Sequence, residues 1–232
     1  MSIRNLQFLF KPKSIALIGA SERGSSVGAV LARNLVSGGF IGTVMPVNPR
    51  HHKINGVHAY PDIASLPTIP ELAVIATPPA TVPDIIAQLG ERGTKAAVVI
   101  TAGFGEVGEG KALQQSLIDT AASFGLRIIG PNCLGILVPG VGLNASFAHA
   151  NPTPGKLAFV AQSGAIVTCV LDWAQARGIG FSHLVSLGDM ADVDFGDMLD
   201  YLANDWSTRA ILLYIETITS ARKFMSAARA AA

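Results

Sequence analysis

Charged side chains are scarce in this chain of 232 residues, where Asp, Glu, Lys and Arg make up 14% of the sequence. An average soluble protein has about 25%. The formal net charge of +1 excludes the strongly basic surface that is typical of nucleic-acid-binding proteins. Hydrophobic residues make up 50% of the chain, which excludes disorder and provides a sizeable core. The shortage of charge indicates that part of the surface is covered by something else.

Long hydrophobic runs are also missing, and the chain has only two cysteines. Glycine and proline break the apolar stretches, and none approaches the ~20 residues that a membrane-spanning helix needs. No apolar stretch of signal-peptide length follows Met1. Cys133 and Cys169 are too few for a disulfide framework and too distant in sequence for a metal-binding pair, and the five histidines show no ligand spacing. We therefore expect a cytoplasmic protein with reduced cysteines, no metal site, and neither membrane nor nucleic acid as a partner.

Short β-rich runs alternate with helical patterns along the first half of the chain. The predicted strands are 14–18, 43–47, 72–76, 96–100 and 127–129, and the predicted helices are 29–37, 82–92 and 110–124. All-apolar strands joined by helices are typical of a parallel sheet that is buried on both faces. The first half therefore predicts a Rossmann-like, doubly wound α/β domain, which we assign to residues 1–145.

The same alternation resumes after a loop rich in proline and glycine, predicted over residues 131–155. The predicted strands are 157–160, 181–186 and 210–214, and the predicted helices are 165–177, 194–204 and 221 onward. The last helix runs to residue 232 without a capping glycine, and no strand follows it. We expect a second α/β domain over residues 146–232 that is truncated at its carboxyl end.

A glycine-rich turn that contains Gly19, Ser21 and Gly24 follows the first predicted strand. Such a turn lets backbone N–H groups approach a pyrophosphate at a helix N-terminus. Ser21 stands where the NAD fingerprint has its second glycine, and Arg50 follows the next strand, where an NAD enzyme would have an acidic residue. Arg50 favours a phosphate near the ribose, as in NADP or the 3′-phosphate of coenzyme A. A tight turn without a ligand is the alternative.

Three further strands end in residues that should face the same crevice, because ligands of open α/β sheets bind at the carboxyl ends of the strands. These residues are Thr77, Pro78, Thr101, Gly103, Asn132 and Cys133. Pro78 cannot donate a hydrogen bond and would line a groove by its shape, whereas Asn132 offers a donor and an acceptor. Ordinary turn chemistry would also explain the loops after Thr77 and Thr101. Cys133 is either a nucleophile or an inert buried thiol.

Two places in the second half could hold an anion or assist a reaction. Ser163 and Gly164 open a helix directly after a buried strand, where free N–H groups favour a phosphate, although a plain helix cap explains the same residues. Glu216 follows an apolar strand, a position where a lone carboxylate is more often functional. The acidic loop 188–194 could hold a divalent cation or cap the helix that begins near Asp194.

Four motifs, in order along essentially the whole chain, resemble a known family. They are residues 12–21, 46–50, 130–135 and 160–164. The chain resembles the N-terminal part of the ADP-forming (NDP-forming) acyl-CoA synthetases, relatives of the succinyl-CoA synthetase α subunit. Residues 143–147, 171–174, 186–189 and 226–229 resemble more particularly bacterial proteins that join this region to a GNAT acetyltransferase domain, some of which acetylate protein lysines.

The resemblance implies that the first domain binds coenzyme A or acetyl-CoA and that a truncated flavodoxin-like domain of the succinyl-CoA synthetase (ligase-CoA) type follows it. The resemblance places Gly19, Ser21 and Gly24 by the CoA phosphates and Arg50 near the nucleotide end. Near the pantetheine and thiol it places Thr101, Gly103, Asn132 and Cys133. Ser163 and Gly164 resemble the site that holds a phosphate. Glu216 matches a glutamate that supports a phosphohistidine.

The family's reaction converts acyl-CoA, ADP and phosphate into the acid, CoA and ATP through an acyl phosphate and a phosphohistidine. The resemblance places that histidine beyond residue 232, so it is absent from this chain. The ATP-grasp domain, which would take ADP and Mg, and a GNAT domain are absent as well. We therefore expect this chain to bind CoA without turnover by itself, with missing domains as partners and a homo-oligomer as a further option.

Three other interpretations stay open. One is an acyl-CoA-sensing regulatory region of a GNAT-type protein lysine acetyltransferase. Another is a regulatory interaction module that keeps the fold and has lost the ligand. The third, from a different class, is an NAD(P)-binding oxidoreductase domain. That interpretation requires an acidic or paired basic ribose site and a catalytic acid or base in the second half, and neither is evident in the sequence.

Overall fold

The first half of the chain forms a parallel sheet flanked by helices. A computed structural model describes residues 3–105 and 108–232. The elements of the first half are α1 (Gln7–Phe10), β1 (Ser14–Ile18), α2 (Val27–Ser37), β2 (Thr43–Val47), β3 (Lys53–Ile54), β4 (Val57–His58), β5 (Leu72–Ile75), α3 (Val82–Arg92), β6 (Ala96–Val99), α4 (Glu109–Phe124) and β7 (Arg127–Ile129). The main sheet has the strand order β2-β1-β5-β6-β7, and every pair in it is parallel. The predicted doubly wound domain is confirmed.

The strand order reverses between β1 and β5, because the chain passes from β1 to β2 on one side and then crosses to β5 on the other. At such a switch point the loops diverge and leave a crevice at the carboxyl ends of the strands. Every residue of β5 and β6 is buried, which explains why both strands are entirely apolar. The crevice therefore lies between the turn after β1 and the loops after β5 and β6.

The second half of the chain builds another sheet, with helices packed on it. Its elements are β8 (Gly135–Val138), β9 (Leu143–Ser146), β10 (Pro154–Ala161), α5 (Gly164–Gln175), β11 (Phe181–Ser186), α6 (Phe195–Ala203), β12 (Ala210–Tyr214) and α7 (Ala221–Ala231). The strand order is β12-β10-β11-β8-β9, in which β12, β10 and β11 are parallel. The three parallel strands predicted from the sequence are confirmed, and they carry an antiparallel extension.

The prediction of a loop over residues 131–155 is wrong, because β8 and β9 lie within this range. These two strands form an antiparallel pair, and β8 continues the second sheet beside β11. Each strand has only four residues, and Gly135, Pro139 and Gly142 surround them, so their turn signals outweigh their strand signals in the sequence. Both strands end by Ser146, and the domain boundary at residue 145 stays a prediction.

Three helices, α2, α4 and α5, begin one or two residues earlier than predicted. α3 and α7 begin at the predicted residues, and α6 begins one residue later. α2 begins at Val27, because the Ser26 hydroxyl accepts a hydrogen bond from the Ala29 N–H at 3.3 Å and caps the helix. α5 begins at Gly164 instead of residue 165. In the part of the chain that the structure describes, no helix combines the length and apolar character needed to cross a membrane.

Buried polar contacts hold the two sheets in a fixed relation. The side-chain amide of Asn34, on α2, donates to the carbonyls of Ser146 and Ala148, each at 2.8 Å. Arg127, on β7, forms an ion pair with Asp192 at 2.8 Å, and the same carboxylate accepts a bond from the Ile128 N–H. These contacts join residues more than 60 positions apart in the sequence. The N-terminus of α5 lies opposite the carboxyl ends of the first sheet, since Gly164 lines the same cavity as Thr77 and Thr101.

Candidate functional site

The turn after β1 combines packing glycines with an exposed tip. Gly19 has a φ of +91°, and a Cβ there would lie 2.5 Å from the Ala76 carbonyl oxygen. A Cβ on Gly28 would overlap the carbonyl oxygen of Gly19. These two glycines let the turn pack closely against β5 and α2, whereas Gly24 is exposed and a Cβ there would meet no atom within 4 Å. The structural requirement for glycine therefore falls on Gly19 and Gly28, and Gly24 is free to face a ligand.

Arg50 lies in the loop after β2, and one side chain ties this loop to the turn after β1. The Asn48 amide donates to the Ala20 carbonyl at 2.7 Å. Its carbonyl oxygen accepts bonds from the N–H groups of Arg50 and His51. Asn48 therefore holds the exposed Arg50 beside the glycine-rich turn that contains Ser21. This role of Asn48 was not predicted from the sequence, although the Asn-Pro pair directly after β2 is a turn signal.

A cavity of about 570 Å³ occupies the crevice between the first sheet and α5. It is lined by Val27, Ala76, Thr77, Ile100, Thr101, Ala102, Asn132, Cys133, Leu134, Phe147, Gly164, Ala165 and Thr168. The structure thus brings five predicted site residues together, from both halves of the chain. The other predicted residues lie outside this lining: Gly19, Ser21, Gly24, Arg50, Pro78, Gly103, Ser163 and Glu216.

The loops after β5 and β6 are linked to each other by hydroxyl groups. The Thr101 hydroxyl donates to the Thr77 carbonyl at 2.8 Å, and the Thr81 hydroxyl lies within hydrogen-bond distance of both the Thr77 hydroxyl and the Pro78 carbonyl. Pro78 precedes a short 3₁₀ turn, which agrees with the interpretation of this loop as an ordinary turn. Gly103 has a φ of +99° and lies near Pro79. These bonds fix one wall of the cavity.

Cys133 lines the cavity as a buried side chain. Its side chain is buried, and Sγ contacts the Val99 carbonyl oxygen at 3.4 Å. Burial is the main cause that raises the pKa of this thiol to about 12. Since the thiolate is the nucleophilic form, this environment does not favour the nucleophile interpretation of Cys133.

Alkylation of the native protein should discriminate between the two cysteines. Iodoacetamide at pH 8 is expected to add one group, at the exposed Cys169, and to leave Cys133 unmodified, because burial shields its thiol and suppresses the thiolate. Intact-mass and peptide mass spectrometry would measure this. The Cys169→Ser variant should take up no group, and modification of Cys133 at a similar rate would contradict the assignment.

Asn132 and the acidic loop join the cavity to the second sheet. The Asn132 N–H donates to the Thr101 carbonyl at 2.9 Å, and its side-chain amide donates to the Asp189 carboxylate at 3.1 Å. Asp194 caps α6 by accepting bonds from the N–H groups of Gly196 and Asp197, which supports the helix-cap interpretation of this loop. Among the described residues, no group of three or more His, Cys, Asp or Glu side chains could hold a metal ion.

The N-terminus of α5 approaches the cavity from the second sheet. Ser163 occupies the N-cap position, and within the described structure its hydroxyl makes no capping bond to the helix. A Cβ on Gly164 would lie 3.0 Å from the Leu134 Cβ, so glycine allows the helix end to approach the cavity wall. A side-chain cap would have occupied the first N–H groups of α5. Without one, these groups are available to an anion.

Gln162 connects this helix end to Glu216, a role that was not predicted from the sequence. Its side-chain carbonyl accepts bonds from the N–H groups of Glu216 at 3.2 Å and Thr217 at 3.0 Å. Its amide donates to the Thr217 hydroxyl at 3.0 Å. The exposed Glu216 therefore lies on a loop that is fixed directly beside Ser163. The Gln-Ser-Gly motif was the only sequence signal for this connection.

The doubly wound sheet, the glycine-rich turn at its switch point and the adjoining crevice define a Rossmann-like ligand-binding domain. The chain belongs to the CoA binding domain family, whose model matches residues 13–139. A second family model, the succinyl-CoA ligase like flavodoxin domain, matches residues 154–232. The predicted pair of a Rossmann-like and a flavodoxin-like domain is confirmed.

Relatives and solved structures show the same arrangement over nearly the whole chain. An acetate–CoA ligase [ADP-forming] I of Archaeoglobus fulgidus is 42% identical over 98% of this chain and 33% of its own length. The α subunit of acetate–CoA ligase [ADP-forming] I of Pyrococcus furiosus is 39% identical over 97% of this chain and 50% of its length. A dinucleotide-forming acetyl-coenzyme A synthetase 1 of Ca. Korarchaeum cryptofilum, solved with phosphate and ADP, superposes with a TM-score of 0.92 at 39% identity, over 97% of this chain and 49% of that one. The chain therefore spans half or less of these relatives.

Proposed function

We propose that this chain is the CoA-binding part of an ADP-forming acyl-CoA synthetase. The observation that carries the proposal is the cavity at the carboxyl ends of β5, β6 and β7, closed from the other side by the N-terminus of α5. The same chain belongs to the CoA binding domain family and resembles acetate–CoA ligases over nearly its whole length. The complete reaction would convert acyl-CoA, ADP and phosphate into the acid, CoA and ATP.

The site suits a CoA molecule that enters at the glycine-rich turn and ends in the cavity. Gly24 and Ser21 would face the phosphates, and Arg50, held by Asn48, would neutralise a phosphate at the nucleotide end. Thr77, Thr101, Asn132 and Cys133, which line the cavity, would contact the pantetheine and its thiol. Gly103 and Pro78, outside that lining, would flank the same path. CoA supplies the thiol that carries the acyl group, and this chain's residues bind and orient it.

The N-terminus of α5 would hold the phosphate of the reacting group beside that thiol. Its free N–H groups and the positive end of the helix dipole attract negative charge. Glu216, fixed beside Ser163 by Gln162, would support a phosphohistidine supplied from outside this chain. The partner in this proposal is an ATP-grasp domain that holds ADP and Mg, since the Pyrococcus furiosus relative, of which this chain covers 50%, is named as an α subunit.

A second candidate is an acyl-CoA-sensing region of a GNAT-type protein lysine acetyltransferase. Its support is that residues 143–147 belong to the motifs that resemble this group, and Phe147 lines the cavity. In that case the same site would bind acyl-CoA without passing on a phosphoryl group. The cytoplasmic localisation and the homo-oligomer expected from the sequence stay predictions.

Isothermal titration of the purified chain with CoA, acetyl-CoA, NADH and NADPH tests the proposal. Binding is expected for the two CoA ligands alone, because Arg50 and the cavity suit a CoA phosphate and a pantetheine arm. Binding of a nicotinamide nucleotide in their place would support the oxidoreductase alternative. A chain that binds none of the four ligands while folded would contradict the proposal.

A further inference from the structure

The side chains of the cavity wall are mostly apolar, and its threonine hydroxyls are already hydrogen-bonded. Seven of the side chains are hydrocarbon: Val27, Ala76, Ile100, Ala102, Leu134, Phe147 and Ala165. Two lining hydroxyls have partners within the protein, since Thr101 donates to the Thr77 carbonyl and Thr168 donates to the Gly164 carbonyl at 3.1 Å. None of the described residues that line the cavity is charged. The wall therefore offers apolar contact and no positive side chain.

Phe147 is the largest side chain of this wall, and its position is fixed. Its N–H donates to the Leu134 carbonyl at 3.2 Å, and Leu134 in turn packs against Gly164 at the start of α5. The ring of Phe147 is nevertheless 38% exposed, next to a cavity large enough for an organic ligand. An exposed aromatic side chain on a fixed backbone gains free energy when a ligand covers it.

A negative charge lies beside this wall. Asn132, which lines the cavity, donates its amide to the carboxylate of Asp189. The same carboxylate is one of the causes that raise the pKa of Cys133. A ligand carboxylate in the cavity would lose its hydration, would meet no cationic side chain on the wall, and would be repelled by Asp189.

We propose that Phe147, with Leu134, binds the acyl group of acyl-CoA and selects an uncharged acyl chain over one that carries a second carboxylate. This inference rests on the proposed function and names the substrate class of the same site. The N-terminus of α5 does not reverse the selection, because its N–H groups donate to the thioester carbonyl of acyl-CoA, or to the phosphoryl group during the reaction. The acyl tail then lies against Phe147 and Leu134.

Butyryl-CoA and succinyl-CoA make a matched test, since both acyl groups have four carbons and differ by the terminal carboxylate. For the wild-type chain we expect calorimetry to show butyryl-CoA binding about tenfold more tightly than CoA, because additional CH₂ groups are buried. Succinyl-CoA should bind at least about tenfold more weakly than butyryl-CoA.

The Phe147→Ala variant tests the residue itself. It should remove most of the advantage of butyryl-CoA over CoA while leaving the affinity for CoA unchanged. Phe124→Ala is the control, because Phe124 is 36% exposed, close to the 38% of Phe147, and lies outside the cavity. That variant should keep the wild-type affinities for all three ligands.

The outcomes separate the inference from the proposed function. If CoA itself does not bind, the proposed function fails and the inference fails with it. If CoA binds and succinyl-CoA matches butyryl-CoA, the selection against a second carboxylate is wrong. If CoA binds and Phe147→Ala keeps the full preference for butyryl-CoA, Phe147 is not the acyl-binding residue.

Discussion

The Gly24→Val variant is expected to bind CoA at least about tenfold more weakly than the wild-type chain, a loss of about 1.4 kcal/mol or more. Gly24 lies at the exposed tip of the turn after β1, and a side chain there would meet no atom of the free protein. Its φ lies outside the left-handed region, so valine is not strained. A phosphate that approaches the backbone of the turn would, however, collide with the new side chain.

Gly140→Val is the matched control for this variant. Gly140 also has open space around its Cα and lies in the 3₁₀ turn between β8 and β9, outside the glycine-rich turn. Both variants should show the wild-type free energy of unfolding in urea, and only Gly24→Val should lose affinity in CoA titrations. An unchanged CoA affinity for Gly24→Val would remove the turn from the binding site.

Acidification is expected to destabilise the chain through one buried histidine, His183. Its ring is fully buried, in contact with Phe10 and Tyr201, and neither ring nitrogen has a hydrogen-bond partner among the described residues. Burial is the main cause that lowers the pKa of His183 from 6.5 to about 4, and the positive charge of Lys11 acts in the same direction. Asp205, 3.8 Å from Nδ1, opposes the shift without cancelling it.

The direction follows from which state binds the proton. In the folded chain His183 stays neutral down to about pH 4, whereas in the unfolded chain it is protonated below pH 6.5. The part of the free energy of unfolding that depends on a neutral His183 is therefore fully present above pH 6.5, and it is lost as the pH falls from 6.5 to about 4. Over the whole window the loss is up to about 3 kcal/mol, of which about 2 kcal/mol is reached at pH 5.

Urea unfolding at pH 7 and pH 5 measures this effect. The free energy of unfolding falls between pH 7 and pH 5, and this fall should be about 2 kcal/mol smaller in His183→Gln than in the wild-type chain. The expectation does not depend on the absolute stability of the variant. His52→Gln, at an exposed histidine, is the control and should keep the wild-type difference. The pKa values of Asp194 and Asp205 are lowered in the folded chain. These two carboxyl groups therefore titrate mostly below pH 5, outside the range of the measurement. An unchanged difference in His183→Gln would show that the ring is accessible to protons in the folded chain.

The strongly patterned parts of the fold could be predicted from the sequence. β5 and β6 are apolar at every position, because both faces of a central parallel strand are covered by helices. β8 and β9 were missed, since strands of four residues between glycines and prolines acquire their identity from the partner strand β11. Short strands that pair with distant residues leave little local signal.

The candidate site divides in the same way. Thr77, Thr101 and Asn132 could be placed at the crevice because each directly follows a predicted strand, and the carboxyl ends of parallel strands share one edge of a sheet. Phe147 and the supporting roles of Asn48 and Gln162 could not, since each depends on a contact made by the folded chain. Glu216 was found by its position, and its connection to Ser163 was not.

The sequence by itself determined the two α/β units, the glycine-rich turn at the switch point and the motifs that resemble the acyl-CoA synthetases. These features are local, because the period of apolar residues and the residue types of a turn are written in consecutive positions. Only the tertiary structure decided that α5 closes the crevice of the first sheet, that Cys133 is a buried thiol and that Phe147 lines the cavity. These depend on the packing of distant segments, through which burial sets the pKa of a thiol and the shape of a wall.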